Sequence, residues 1–264
     1  MRWPLLLVSL VTLSCAWNAA AVPTQNVTEH PEWQQFFTEA GVVGTCVVYD
    51  FKADRYHVWN LDRASTRFAP ASTFKIANSL IALETGVAKD ERQVFKWDGV
   101  KRDIDTWNRD HDLRTAIKAS AVPVYQEIAR QVGRERMEKY VRDFHYGNMD
   151  ASGPIDQFWL GNSLQISAFE EIDFLKRLIT FQLPVSERSV RIVREILINE
   201  ATMDYVLRAK TGVVSGTPSI GWWVGWVEKD ANTWLFATNM DVSEPTPKRM
   251  TVTKAVLKSL GVLP

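Results

Sequence analysis

A serine three residues ahead of a lysine, Ser72-Thr73-Phe74-Lys75, is the first place where the residue types and spacing suit covalent chemistry. A serine hydroxyl is a poor nucleophile without an adjacent base. A three-residue step is close to one helical turn, so on a helix both side chains share a face. A lysine amine can be that base where burial keeps it neutral. A helix N-terminus would add a dipole and free N–H groups that favour developing negative charge. Alone, the pattern also fits an N-capping serine followed by a solvated lysine. Two more short patterns lie downstream. Lys210-Thr211-Gly212 combines a cation suited to a carboxylate, a hydroxyl donor and a glycine that admits close backbone approach. Ser120-Ala121-Val122 sets another hydroxyl just before Pro123, where an isolated serine is usually a capping or loop residue.

These residues need a helix after Ser72 and a strand leading into Gly212, and the hydrophobic pattern predicts both. Thr73 to Glu84 reads as a strong helix stopped by Gly86, and Tyr205 to Thr211 as a strand. Upstream, Pro31 to Ala40 reads as a helix closed by Gly41. Gly44 to Asp50 and Arg55 to Asn60 read as strands, and Arg63 to Ala71 as irregular. The middle is helical: Leu113 to Ala119, Val124 to Val132, Arg134 to Phe144, Phe169 to Phe181 and Glu187 to Ile198. Ile220 to Glu228 and Thr233 to Asp241 read as strands separated by turn signals, and Thr251 to Leu260 as a closing helix. Strands at both ends with helices between predict an α+β fold. One antiparallel sheet is built from both chain ends, a helical subdomain of about residues 87–200 is inserted, and a cleft forms where they meet.

Composition narrows the function classes. Lys+Arg and Asp+Glu are both 31, which leaves no electrostatic footprint for nucleic acid or an anionic membrane. Hydrophobic residues are 46% and charged residues 23%, a balance that supports a sizeable core and argues against disorder. His30, His57, His111 and His145 are scattered without metal-ligand spacing, so no metal is expected. Arg2, the apolar run Leu5 to Ala16 and the small residues Ala19-Ala20-Ala21 read as a cleavable signal peptide over residues 1–21. Residues 22–264 would then form one catalytic domain in the periplasm, with no membrane attachment. Cleavage removes Cys15 and leaves Cys46 as a lone thiol in an apolar strand, read as a small buried hydrophobe.

The order SxxK, mid-chain serine, KTG resembles that of the penicillin-recognising serine enzymes, and several details resemble the class D (oxacillinase-type) β-lactamases among them. Val122 stands where class A enzymes carry Asn. Tyr146-Gly147-Asn148 is similar to the class D YGN element, Phe158-Trp159-Leu160 to its Trp-Leu pair, and Ser219 to Trp226 to the strand after KTG. Phe95 to Arg109 resembles the carbapenem-hydrolysing branch.

The resemblance implies a serine β-lactamase/penicillin-binding-protein-like fold and hydrolysis of penicillins, oxacillin-type included, through a Ser72 acyl-enzyme, conferring β-lactam resistance. It implies N-carboxylation of Lys75 by carbon dioxide, giving the general base for acylation and deacylation, with no other cofactor. Such carboxylation requires a neutral amine. Phe74, Val122, Trp159 and Leu160 would be its apolar neighbours, and the Trp159 indole N–H its donor. Backbone N–H groups of Ser72 and Val213 would form the oxyanion hole, and Ser120 would relay a proton to the leaving nitrogen. Lys210, Thr211, Gly212, Arg249 and Tyr146 would bind substrate, with Lys210, Thr211 and Arg249 on its carboxylate. A homodimer is implied too, with Arg208 a candidate interface residue, although an exposed strand arginine explains that position as well. The segment Val213 to Ser219 lacks the aromatic residue and the longer Arg-bearing loop that the carbapenem-hydrolysing relatives carry after KTG. Carbapenem hydrolysis is therefore expected to be weak. Alternatives are a penicillin-binding transpeptidase or carboxypeptidase, and a β-lactam sensor domain.

Overall fold

A computed structural model describes residues 26–161, 163–242 and 248–264. The expected signal peptide and Cys15 lie outside the described residues. The strands are β1 (Val27–Glu29), β2 (Gly44–Asp50), β3 (Arg55–Trp59), β4 (Ile198–Ala201), β5 (Tyr205–Val214), β6 (Ser219–Lys229) and β7 (Asn232–Val242). The α-helices are α1 (Gln34–Ala40), α2 (Leu61–Ser65), α3 (Lys75–Glu84), α4 (Leu113–Ala119), α5 (Val122–Val132), α6 (Arg134–Asp143), α7 (Ala168–Ile179), α8 (Glu187–Ile196) and α9 (Lys248–Ser259).

The strands form one sheet in the order β1-β3-β2-β7-β6-β5-β4, so β2 from the start of the chain pairs with β7 from its end. The other strand pairs are antiparallel, as expected, while the short β1 runs parallel to β3 and makes the sheet mixed. β1 and β4 escape the sequence pattern because strands of three and four residues carry almost no periodicity. α2 also lies where irregular chain is expected. Its five residues are started by the Asn60 side chain, which accepts from Arg63 N–H.

Period-two alternation along β6 separates two cores. Trp222, Val224 and Trp226 join the large cluster shared with the helices, while Trp223 and Val227 join the smaller one that includes Phe37, Val252 and Val256 of α1 and α9. Because both faces are covered, β6 reads as a near-continuous apolar run rather than a half-polar strand. On the large-cluster side α7 packs on β7 and β2, and α3 packs against α5, α6 and α8. Lys75 to Leu83 of α3 are all buried, a lysine included.

Candidate active site

The turn that carries Ser72 is held from four sides. Residues Ala71–Phe74 form a single 3-10 turn that runs directly into α3, so Ser72 precedes the α-helix proper and Lys75 is its first residue. Trp222 of β6 donates its indole N–H to Ala69 O at 3.0 Å. Ala71 N–H donates to Trp159 O at 2.9 Å, and Thr73 N–H to Pro70 O at 3.1 Å. A Cβ placed on Gly212 would lie 2.9 Å from Pro70 O and 3.3 Å from Ser72 N, so only glycine lets β5 come this close. Ala71 has φ +50°, a region that costs a non-glycine residue energy and survives only where neighbours fix it.

In the cleft Lys75 Nζ lies 2.6 Å from Ser72 Oγ. Lys75 is fully buried and its Nζ is over the Tyr125 ring, 5.3 Å from the centroid. Burial, reinforced by the charge of Lys210, holds the Lys75 ammonium well below its ordinary pKa, which favours the neutral amine. Ser120 ends α4 with φ +50°, a second positive-φ residue at the site. Its Oγ accepts from Lys210 Nζ at 3.0 Å, and Lys210 also donates to Thr211 O at 2.9 Å. Burial and the nearby Arg249 push Lys210 down to about 7. Arg249, on α9, packs over β6, where a Cβ on Gly221 would meet its Cδ at 3.5 Å. The charge of Arg249 thus bears on Lys210 and that of Lys210 on Lys75, a positive field that an anion would relieve.

The expected residues sort into three groups. Ser72 and Lys75 are in direct contact, as are Ser120, Lys210 and Thr211; the charge of Lys210 bears on Lys75, and Gly212 closes against the nucleophile turn. Val122 is the first residue of α5, immediately beyond Ser120 and Ala121, and Val213 is exposed on β5 at the rim. Trp159 stacks on Phe74, with centroids 5.6 Å apart, and its buried Nε1 has no hydrogen-bond partner among the described residues. Tyr146 requires correction: it is fully buried behind the turn, its hydroxyl donates to Glu171 Oε1 at 3.1 Å, and it cannot touch a substrate from there. The apolar ring explains the outcome, since it packs edge-on against Phe74 and Phe174. Asn148 is a loop staple, accepting from Gln165 N–H and donating to Ser163 O. Gly147 beside it has φ +56°, and a Cβ there would lie 2.0 Å from Gln165 O. Arg208 is mostly buried and pairs with Glu228 within the chain at 2.5 Å.

Sequence reasoning missed Glu171. This fully buried carboxyl on α7 contacts Thr73, the residue after the nucleophile. A signal was available: Glu171 shares its helical stripe with the buried Phe174, Leu175 and Leu178, where a charged residue is out of place.

Comparison with known proteins fits this geometry. The penicillin binding protein transpeptidase domain family matches residues 22–260. Beta-lactamase OXA-48 of Klebsiella pneumoniae is 53% identical over 89% of this chain and 90% of its own length. Beta-lactamase OXA-10 of Pseudomonas aeruginosa is 42% identical over 96% of this chain and 97% of its own. Among solved structures, the class D β-lactamase FUS-1 (OXA-85) of Fusobacterium nucleatum superposes with a TM-score of 0.87 at 40% identity, covering 90% of this chain and 100% of that one. The chain belongs to the class D β-lactamases. As a class D serine β-lactamase it is a β-lactam hydrolase, and the mixed sheet with its helices is that family's α+β fold. The transpeptidase and sensor alternatives are not favoured.

Proposed function

We propose that hydrolysis of penicillins, with resistance as its consequence, proceeds through an acyl-enzyme on Ser72. The observation that carries this reading is the 2.6 Å contact between Ser72 Oγ and the buried Lys75 amine. A neutral amine is the form that carboxylation needs, and this contact sets the base that Lys75 carries within reach of the serine proton as Oγ attacks the lactam carbonyl. Backbone N–H groups of Ser72 and Val213 stabilise the oxyanion, a role supported by the close approach of Gly212 to the turn. Ser120, hydrogen-bonded to Lys210, passes a proton to the departing lactam nitrogen. Lys210, Thr211 and Arg249 bind the substrate carboxylate, which relieves the repulsion between Lys210 and Arg249.

Carbon dioxide bound to Lys75 as a carbamate would supply the general base both for acylation and for the deacylating water. The residues suit that group: a fully buried amine held neutral, and an indole donor, Trp159 Nε1, buried without a partner among the described residues. Val122 and Leu160 complete the apolar lining in this reading. Penicillins and oxacillin-type substrates are the proposed range, with weak carbapenem hydrolysis, because the segment Val213 to Ser219 departs from the carbapenem-hydrolysing pattern. Export through a leader over residues 1–21 to the periplasm, a catalytic domain over 22–264 and a homodimer complete the proposal. N-terminal sequencing of the exported protein and analytical ultracentrifugation read these directly.

The deciding experiment is penicillin turnover at mildly acidic pH after removal of carbon dioxide, with and without added bicarbonate. Turnover restored by bicarbonate supports the reading. A single stoichiometric acylation that bicarbonate leaves unchanged sinks it.

A further inference from the structure

Behind the nucleophile turn, four oxygens from different parts of the chain lie in a row. Tyr146 Oη, from the loop after α6, is 3.1 Å from Glu171 Oε1. The same Oε1 is 2.7 Å from Thr73 Oγ1, which is itself 2.8 Å from Pro70 O. Each contact is short enough to need a hydrogen between its oxygens. Three contacts require three hydrogens, but the tyrosine and threonine hydroxyls bring only one each. An ionised Glu171 would leave one pair of oxygens facing each other with nothing between them. A neutral Glu171 supplies the third: Tyr146 donates to Glu171, Glu171 to Thr73, and Thr73 to Pro70 O. The second carboxyl oxygen, Oε2, is buried without a partner among the described residues, a position far less costly for a neutral acid than for a carboxylate.

We propose that Glu171 is a positioning residue for hydrolysis, acting as a neutral carboxylic acid that donates to Thr73 and so fixes the turn that aims Ser72. The proposal rests on Ser72 being the nucleophile. The chain of bonds ends on Pro70 O, which precedes the strained Ala71 and already accepts Thr73 N–H. Losing the third hydrogen therefore loosens the segment that holds φ +50° one residue before the nucleophile. The ionisable groups that bear on Glu171 are Tyr146 and Glu170, its neighbour on α7. Glu170 is matched by Arg67, which pairs with it at 2.5 Å. Burial pushes the Glu171 carboxyl up to about 7 against the opposing pull of its two hydrogen bonds. The clamp is therefore complete on the acid side of neutrality and opens as the pH rises.

Infrared difference spectroscopy of wild type against Glu171→Gln, together with single-turnover acylation by a penicillin as a function of pH, tests this. Wild type at mildly acidic pH is expected to show a carboxylic-acid C=O band that is absent from the variant and fades toward alkaline pH. The permanently neutral glutamine is expected to keep the acylation rate within about threefold of the acidic wild-type rate and to lose the part of the alkaline decline that titrates with the band. Thr73→Val, which keeps the shape but removes the hydroxyl, is expected to lose the same pH limb while retaining the band. A wild-type spectrum without the band overturns the proposal, as does a Glu171→Gln pH profile that superimposes on that of wild type. Acylation that survives Ser72→Ala removes the positioning role but leaves the band in place, so failure of the nucleophile reading is told apart from failure of the proton assignment.

Discussion

Two chambers lie on opposite sides of the turn Pro70 to Lys75, and each buries an ionisable group. In front, Lys75 faces Ser72 under the charge of Lys210, which in turn feels Arg249. Behind, Glu171 faces Thr73 and Tyr146. Burial favours the neutral form of both, by lowering the lysine and raising the glutamate. The difference lies in what neutrality supplies. A neutral amine becomes a proton acceptor next to a hydroxyl, which is reactive, whereas a neutral acid becomes a proton donor in a hydrogen-bond chain, which is structural. The surrounding charges follow that division. The front chamber gathers cations that repel one another and would be relieved by an anionic substrate, while in the rear one Arg67 occupies Glu170.

The largest effect should come from breaking the front chamber at its base. Lys75→Met fills the apolar pocket with an unbranched side chain and removes the amine. Acylation by a penicillin, followed by stopped flow, is expected to fall by roughly 10²- to 10⁴-fold, the usual contribution of a positioned base. Thermal stability should not fall, because a desolvated amine has been replaced by a hydrocarbon and a thioether. A Met variant that acylates at the wild-type rate would show that Lys75 is not the base.

The rear chamber tests the comparison through stability rather than rate. The Glu171 pKa is raised in the folded state, so its neutral form favours folding. That contribution is complete below the ordinary value near 4.5 and is lost as the pH rises through about 7. Denaturant titrations should show wild type losing up to about 3 kcal/mol relative to Glu171→Gln across that window, and nothing further above it. Parallel pH profiles for the two proteins would mean that Glu171 is not titrating there.

These chambers were unequally legible in the sequence. Ser72, Lys75, Ser120 and Lys210 stand in short patterns whose spacing implies geometry, and the structure joins them in two contacting pairs, Ser72 with Lys75 and Ser120 with Lys210. The same holds for the long strands and helices, whose periodicity spans several residues. Glu171 is different. Its partner Thr73 is 98 residues away and Tyr146 is 25 away, so only the fold brings the three together. Tyr146 was misread for a related reason: its neighbours Gly147 and Asn148 form a turn, and nothing local says that the tyrosine points away from the cleft. β1, β4 and α2 are set by tertiary pairing and a single cap rather than by pattern.

Lys210 marks the limit of the front chamber's tolerance for charge. With its pKa near 7, its protonated form declines above neutrality, so KM for a penicillin should rise with pH there. Binding of the substrate carboxylate favours the ammonium again, so the complex should take up protons at alkaline pH. Calorimetry of Ser72→Ala with a penicillin, in buffers of different ionisation enthalpy, measures that uptake. Lys210→Ala should remove it and raise KM by roughly 10- to 100-fold, the worth of about 1.5–3 kcal/mol for a charge-assisted hydrogen bond. Unchanged KM would place the substrate carboxylate elsewhere.

The smallest expected effect separates the two halves of the catalytic cycle. Trp159→Phe keeps an aromatic ring against Phe74 and Phe158 but deletes the indole N–H. Because that donor is buried without a partner among the described residues, deleting it breaks no bond to them and removes a desolvated polar group. Folding stability should therefore change little, the smaller ring's lost packing being offset by the lost polar atom. Acylation depends on the Ser72–Lys75 contact and should stay within a few-fold of wild type. Deacylation, which the proposal ties to carboxylation of Lys75, should slow by about tenfold, and more bicarbonate should be needed to sustain turnover. Electrospray mass spectrometry of the steady state would then show the acyl-enzyme accumulating in the variant. If acylation and deacylation slow together, Trp159 acts through packing of the nucleophile turn, and its indole N–H has no separate part in the second step.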